Sequence, residues 1–155
     1  MIEYRKGDAT NPVGTGKKII VHVCNDIGGW GKGFVVAISR KWKEPEKQYR
    51  EWHRHSDGFE LGAVQFVQVE PDLWIANLIG EHKIDRGVDG TVPLRYEAVE
   101  KGLIQIVEKA LDLKASVHMP RIGCGLAGGK WEFIEPLITK TLSESGIQTT
   151  VYDFE

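Results

Sequence analysis

Lys18 to Gly33 reads KIIVHVCNDIGGWGKG, an apolar run that breaks into glycines. Lys18 to Cys24 is nearly continuous in apolar residues, the pattern of a strand buried on both faces. Gly28, Gly29, Gly31 and Gly33 follow within six positions, and Phe34 to Trp42 then reads as a helix. A second stretch repeats the plan. Ser116 to Met119 is a short strand, Pro120 leads out of it, Gly123 to Gly129 form a loop, and Trp131 to Ser145 continue as a helix closed by Gly146. Of the 18 glycines, eight fall in these two windows, each between a buried-type strand and a helix. Glycine lets the backbone take positive φ and approach a ligand closely. Successive N–H groups can then line one concavity, and the following helix N-terminus adds its dipole. One such loop reads as a tight turn; two of this density point to a bound diphosphate.

Working outward, strands and helices alternate. Ile2–Arg5 is a first strand, Pro45–His55 a second helix, and Ala63–Val69 and Trp74–Ile79 are strands joined by the turn Glu70-Pro71-Asp72. Ile84–Val92 is a polar loop. Pro93–Lys114 is the longest helix, with Leu103, Ile106, Val107, Ala110 and Leu111 at helical spacing. Pro136 leaves the start of the last helix open by a few residues, and Gln148–Tyr152 is the final strand. The expected fold is α/β: a three-layer α/β/α arrangement around a mixed, mostly parallel sheet of about six strands, with residues 1–155 as one domain. Ligands of such sheets sit at the carboxyl ends of strands, where both glycine loops lie.

Composition bounds the function classes. The chain has 155 residues, 41% hydrophobic and 27% charged, enough apolar content to offset the entropy of ordering. A formal charge of −2 argues against a general nucleic-acid binder, which needs a basic surface. Cys24 and Cys124 are too few for a disulfide scaffold. The opening MIEYRKGDAT lacks the apolar stretch of a signal peptide, and no run is long enough to span a membrane. A cytoplasmic monomer without metal or cofactor is expected. His53 and His55 are two histidines on a charged helix with no third ligand beside them. Gly123-x-Gly125-x-x-Gly128 matches a dinucleotide fingerprint, with Asp153 on the next strand, but a single βαβ unit contains it. Gly28–Gly33 lacks the spacing and the Ser/Thr of a P-loop.

Four pieces in order make the chain resemble a macrodomain: Gly7-Asp8-Ala9-Thr10, His22 to Gly33, Pro120-Arg121-Ile122-Gly123-Cys124-Gly125-Leu126, and Thr150-Val151-Tyr152. The likeness is to the branch of the terminal ADP-ribose protein glycohydrolase and the yeast ADP-ribose-1″-phosphate phosphatase. It implies an ADP-ribose-binding domain, acting as a hydrolase on ADP-ribosylated protein or on small ADP-ribose esters. The alternatives are a reader without turnover and an ADP-ribose-1″-phosphate phosphatase. By the same resemblance, Asp8 and Ala9 read adenine, and Tyr152 or Phe154 borders it. Ile122, Gly123, Cys124, Gly125, Leu126, Ala127 and Gly128 hold the diphosphate, and Asn25, Gly31, Gly33 and Phe34 line the distal ribose. Two positions depart from the glycohydrolase: Glu81 stands where its catalytic lysine does, and Ala127 where its aspartate does. His22, Asn25 and Asp26 are the catalytic candidates, Asn25 and Asp26 by orienting or activating a water. The alternative for His22 is a hydrogen-bonded core histidine, for Asp26 a solvated loop carboxylate, and for Asp8 a turn aspartate. Cys124 reads as a small filler, and Trp30 as either a lid or a packing residue.

Overall fold

The computed structural model describes residues 1–55 and 57–154. Six strands form one sheet in the order β1-β6-β5-β2-β4-β3. They are β1 (Ile2–Lys6), β2 (Lys18–Asn25), β3 (Val64–Glu70), β4 (Leu73–Glu81), β5 (Ser116–Met119) and β6 (Thr149–Asp153). All neighbouring pairs are parallel except β3 with β4, a hairpin closed at Pro71-Asp72. The expected mixed, mostly parallel sheet is therefore the observed one.

Side chains alternate across β2 and β4 with the period of two that a pleated strand imposes. Ile19 and Val21, with Trp74, Ala76 and Leu78, face one layer, where Val99, Leu103 and Ile106 of α3 (Tyr96–Leu113) and Ile134 and Ile138 of α4 (Trp131–Ile138) pack on them. Ile20 and Cys24, with Ile75, face the opposite layer, against Val35 and Ile38 of α1 (Phe34–Lys41) and Tyr49 of α2 (Glu44–His55). This second layer carries one polar pair, His22 and Asn77, in register across β2 and β4.

Three details differ from the sequence reading. The long helix starts at Tyr96, not Pro93, because Leu94 is held in an antiparallel bridge to Glu81 and its N–H donates to Ala127 O at 3.1 Å. Leu111 is 54% exposed and so is not part of the apolar stripe of that helix, which runs on from Ala110 to Leu113. The last helix turns into a π-helical segment at Thr139–Ser143, where Glu144 N–H donates to Thr139 O at 2.9 Å. Gly146, at φ 76°, supplies the left-handed residue that ends it.

Candidate functional site

β2 and β5 are parallel neighbours, yet their following helices lie on opposite faces: α1 and α2 on one, α4 on the other. The loops diverge at that point and leave a crevice at the carboxyl ends of the strands. A cavity of about 670 Å³ occupies it. Gly29 to Val35 form one wall, and Pro120 to Gly123 with Gly125 to Ala127 most of the other. Glu81 at the end of β4, Ile84 after it and Arg50 of α2 also line it.

The glycines sort by what a side chain would meet. A Cβ on Gly129 would lie 2.6 Å from the Gly123 carbonyl oxygen, and one on Gly128 2.7 Å from Val92, so both are required by packing. A Cβ on Gly31, Gly33 or Gly125 would meet nothing within 4 Å. Gly33 sits at φ 85°, but Gly31 and Gly125 are not in the positive-φ region. Nothing in the protein itself demands glycine at those two positions, which line the cavity. In the second loop Gly128 N–H donates to Gly125 O and Gly129 N–H to Gly123 O. The N–H groups of Gly125, Leu126 and Ala127 have no acceptor among the described residues. On the first wall, α1 starts without a side-chain cap. A helix start left open in this way favours an anion.

Asn25 organises the first loop. Its Oδ1 accepts from Ile27 N–H at 3.0 Å and from Gly29 N–H at 2.9 Å, and its Nδ2 donates to Gly29 O at 2.8 Å. The Tyr49 hydroxyl donates to Asn25 O at 2.6 Å and lies 3.0 Å from Oδ1. With its oxygen so engaged, Asn25 shapes the loop rather than activating water. Asp26 is engaged too: Oδ1 accepts from Lys83 N–H at 2.7 Å, and Oδ2 lies 2.8 Å from His82 Nδ1. Its carboxylate ties the loop after β2 to the loop after β4 and lies outside the cavity lining. It is neither a free base nor a solvated loop carboxylate.

His22 lies on the cavity floor at 2% exposure. Its Nε2–H donates to Asn77 Oδ1 at 2.5 Å, and the ring meets the edge of Trp30 at 5.3 Å. Burial lowers its pKa to about 4, and the Asn77 bond offsets only part of that. The ring is neutral and hydrogen-bonded on the cavity floor. Trp30 packs between His22 and Tyr49 with its indole N–H on Ser39 Oγ at 2.8 Å, so it is a packing residue and not a lid.

Glu81 is the group that reading the sequence for catalytic candidates left out. The β2–β4 register shifts after Cys24, so that Asn25 pairs with Glu81 and Gly80 is passed over. Glu81 therefore ends β4 beside the first loop and lines the cavity. Burial, and then the Asp26 carboxylate, raise its pKa from 4.5 to about 7. Its carboxyl has no hydrogen-bond partner among the described residues. A perturbed carboxyl in a cleft is a functional signal. It was invisible in the sequence because the burial of Glu81 and the approach of Asp26 both arise only when β4 pairs with β2.

The remaining candidates fall into two groups. Gly31, Gly33, Phe34, Ile122, Gly123, Gly125, Leu126 and Ala127 line the cavity. Asp8, Ala9, Cys124, Gly128, Tyr152 and Phe154 do not. Cys124 is half-buried, with a thiol pKa raised by burial, which fits a filler. Tyr152 is 3% exposed, its hydroxyl accepting from Val13 N–H at 3.0 Å and lying 2.7 Å from His118 Nδ1. Phe154 is 80% exposed. Asp8 Oδ1 accepts from Thr10 N–H and Oγ1–H, both at 2.8 Å, an Asx-type turn directly after β1. Asp153 is paired with Arg121, at 2.6 and 3.1 Å, and does not act as the acid of a dinucleotide site. Glu81, Asn25, Pro120, Asp153 and Asp8 follow the carboxyl edge in sheet order across β4, β2, β5, β6 and β1. Four strand spacings of about 4.8 Å make that edge roughly 19 Å long. Among the described residues there is no cluster of three or more metal-ligating side chains, and no helix is long and apolar enough to cross a membrane.

No protein-family model matches the chain. It is 34% identical over 160 residues to chromodomain-helicase-DNA-binding protein 1-like of Danio rerio, covering 97% of this chain but 15% of that protein's length. It is 29% identical over 144 residues to ADP-ribose 1″-phosphate phosphatase of Candida albicans, covering 87% of this chain and 90% of that protein. Among solved structures, a macrodomain protein of Streptomyces coelicolor superposes with a TM-score of 0.89 at 54% identity, over 99% of both chains. With that identity over the full length of both chains, and with the crevice between two glycine loops in place, this chain belongs to the macrodomain family.

Proposed function

We propose that this chain binds ADP-ribose along the carboxyl edge of its sheet and hydrolyses an ADP-ribosyl ester. One observation carries the reading: unpaired N–H groups of Gly125, Leu126 and Ala127 line the same cavity as the uncapped start of α1. Main-chain donors and a helix dipole suit a diphosphate in a chain with net charge −2. The diphosphate lies on the second loop, the distal ribose against Gly31, Gly33 and Phe34, and the adenine toward Asp8 and Ala9. The roughly 19 Å edge suits a ligand with an aromatic base at one end and a sugar at the other. The full-length likeness to a Candida albicans phosphatase whose name specifies ADP-ribose supports the same ligand. It also favours a second reading, hydrolysis of ADP-ribose 1″-phosphate by the same site.

Calorimetric titration with ADP-ribose, with AMP and NAD as controls, tests the ligand. Micromolar binding selective for ADP-ribose is expected, and a folded protein that does not bind it refutes the reading. Incubation with an O-acyl ester of ADP-ribose and, separately, with ADP-ribose 1″-phosphate tests the reaction. Release of the carboxylate supports the first reading, and release of phosphate the second. Binding with neither product identifies a reader.

A further inference from the structure

We propose that Glu81 is the general base of this site, taking a proton from the water that attacks the distal ribose of an acyl-linked ADP-ribose. The proposal rests on the ADP-ribosyl-ester reading above and names the group that performs it.

The alternatives are removed by geometry. His22 lies on the cavity floor at 2% exposure, its Nε2 held by Asn77 and its Nδ1 3.9 Å from Cys24 Sγ, the Asn25 side chain is engaged in its own loop, and both Asp26 oxygens are occupied. Glu81 alone among these acidic and basic groups keeps a carboxyl without a protein partner in the lining of the cavity. A base must reach its water as well as have a suitable affinity for protons. Glu81 meets both conditions, and its pKa of about 7 lies where a base is both ionised and strong at neutral pH.

The groups around it define its charge. Asp26, directly after β2, Cys24 of β2 and Tyr49 of α2 face it, Arg50 of α2 shares the cavity lining, and His82 and Lys83 follow it in the chain. Asp26 opposes ionisation of Glu81. Arg50 is held by Glu46 at 3.0 Å and by Gly28 O at 3.1 Å. His82 is paired to Asp26. No cation forms a salt bridge to the Glu81 carboxylate among the described residues.

The step balances without a co-reactant. The water oxygen bonds to the anomeric carbon of the distal ribose while its proton passes to the Glu81 carboxylate. The bond from that carbon to the acyl oxygen breaks, and its electron pair leaves on the released carboxylate. Glu81 then returns the proton to solvent. The leaving carboxylate needs no proton, so one base suffices, and the favoured substrate class is an ester of a carboxylic acid.

The test compares wild type, Glu81→Gln and Glu81→Ala in hydrolysis of ADP-ribose acetylated on its anomeric 1″-oxygen, with ADP-ribose affinity and thermal unfolding measured alongside. For Glu81→Gln the expected result is an ADP-ribose Kd within about threefold of wild type and a kcat lower by about 100-fold or more. Wild-type kcat rises with pH and levels off above about 7, the behaviour of a base that must be ionised. Added formate restores part of the Glu81→Ala rate, which a purely structural loss would not allow. A Glu81→Gln rate within threefold of wild type, a wild-type profile without that step, or a Glu81→Gln that has lost ADP-ribose affinity overturns the proposal. If Glu81→Gln does not fold, the Glu81→Ala rate decides alone, and the absence of formate rescue overturns it. Failure of the ADP-ribosyl-ester reading is recognised separately: wild type then binds no ADP-ribose, or binds it without releasing acetate, and the base role falls with it.

Discussion

Replacing Glu81 by Gln should stabilise the protein, and only at neutral and alkaline pH. Glutamine copies the shape of the protonated acid but cannot ionise. Glu81 titrates at 4.5 in the unfolded chain and at about 7 in the folded one, because burial and the Asp26 charge disfavour its anion. Below pH 4.5 both states hold the proton and the residue contributes no difference between them. As pH rises from 4.5 to about 7, the unfolded chain releases its proton while the folded protein retains it, so stability declines. Above about 7 the loss is complete. At about 1.4 kcal/mol per pH unit, the interval corresponds to about 3 kcal/mol, an upper figure because the cavity lets water reach the carboxyl. For a domain of this length that is a rise in Tm of roughly 6–12 °C in the variant. Thermal unfolding of both proteins, followed by circular dichroism from pH 4 to pH 9, measures it. Curves that diverge from pH 4.5 and run parallel above pH 7 are expected. A constant offset at every pH, or no offset at pH 8.5, would show that Glu81 is not a desolvated carboxyl and would refute the reasoning.

Gly125→Val should fold normally, since its backbone is not in the positive-φ region and its Cβ meets nothing, yet block ADP-ribose. Unchanged calorimetric affinity would refute the placement of the diphosphate. Asp8→Ala should weaken ADP-ribose by about 1–3 kcal/mol, the usual cost of a lost hydrogen bond to a charged group. An unaltered Kd would remove Asp8 from the site. His22 and His118 have pKa values lowered by burial to about 4, so both should remain neutral at pH 5.5 by NMR. Their contribution to stability is full above pH 6.5, where the unfolded histidines are neutral too, and is lost as pH falls from 6.5 to about 4. Either ring titrating near 6.5 would contradict that.

The parts of the fold that were legible in the sequence are those set by local pattern. The apolar run at Lys18–Cys24, the Pro71-Asp72 turn and the two glycine windows each carry their signal in adjacent residues, and each lies where expected. The misplaced parts depend on contacts between distant segments. Pro93 and Leu94 have the look of a helix start, but pairing with Glu81 and a bond to Ala127 hold them extended. The site shows the same division. Asn25 and Asp26 have the composition of catalytic residues, and only the approach of Tyr49, His82 and Lys83 shows that their oxygens are occupied. His22 has a buried partner, Asn77, that only the β2–β4 pairing brings to it. Glu81 registers in sequence as a departure from a related enzyme. Its raised pKa arises first from burial and then from Asp26, brought next to it by β2 pairing with β4.

The open glycines and unpaired amides of the two loops have a consequence for how such a domain can change. The features suited to gripping a diphosphate here are main-chain atoms, fixed by the course of β2 and β5. They are indifferent to which side chains stand at the rim. If ADP-ribose binds as proposed, a substitution at Glu81 or Ala127 alters what happens at the far sugar without loosening the grip on the rest of the molecule. Recognition and chemistry are inherited through different atoms, so a lineage can exchange one reaction for another, or give up reaction for recognition, while its crevice stays the same.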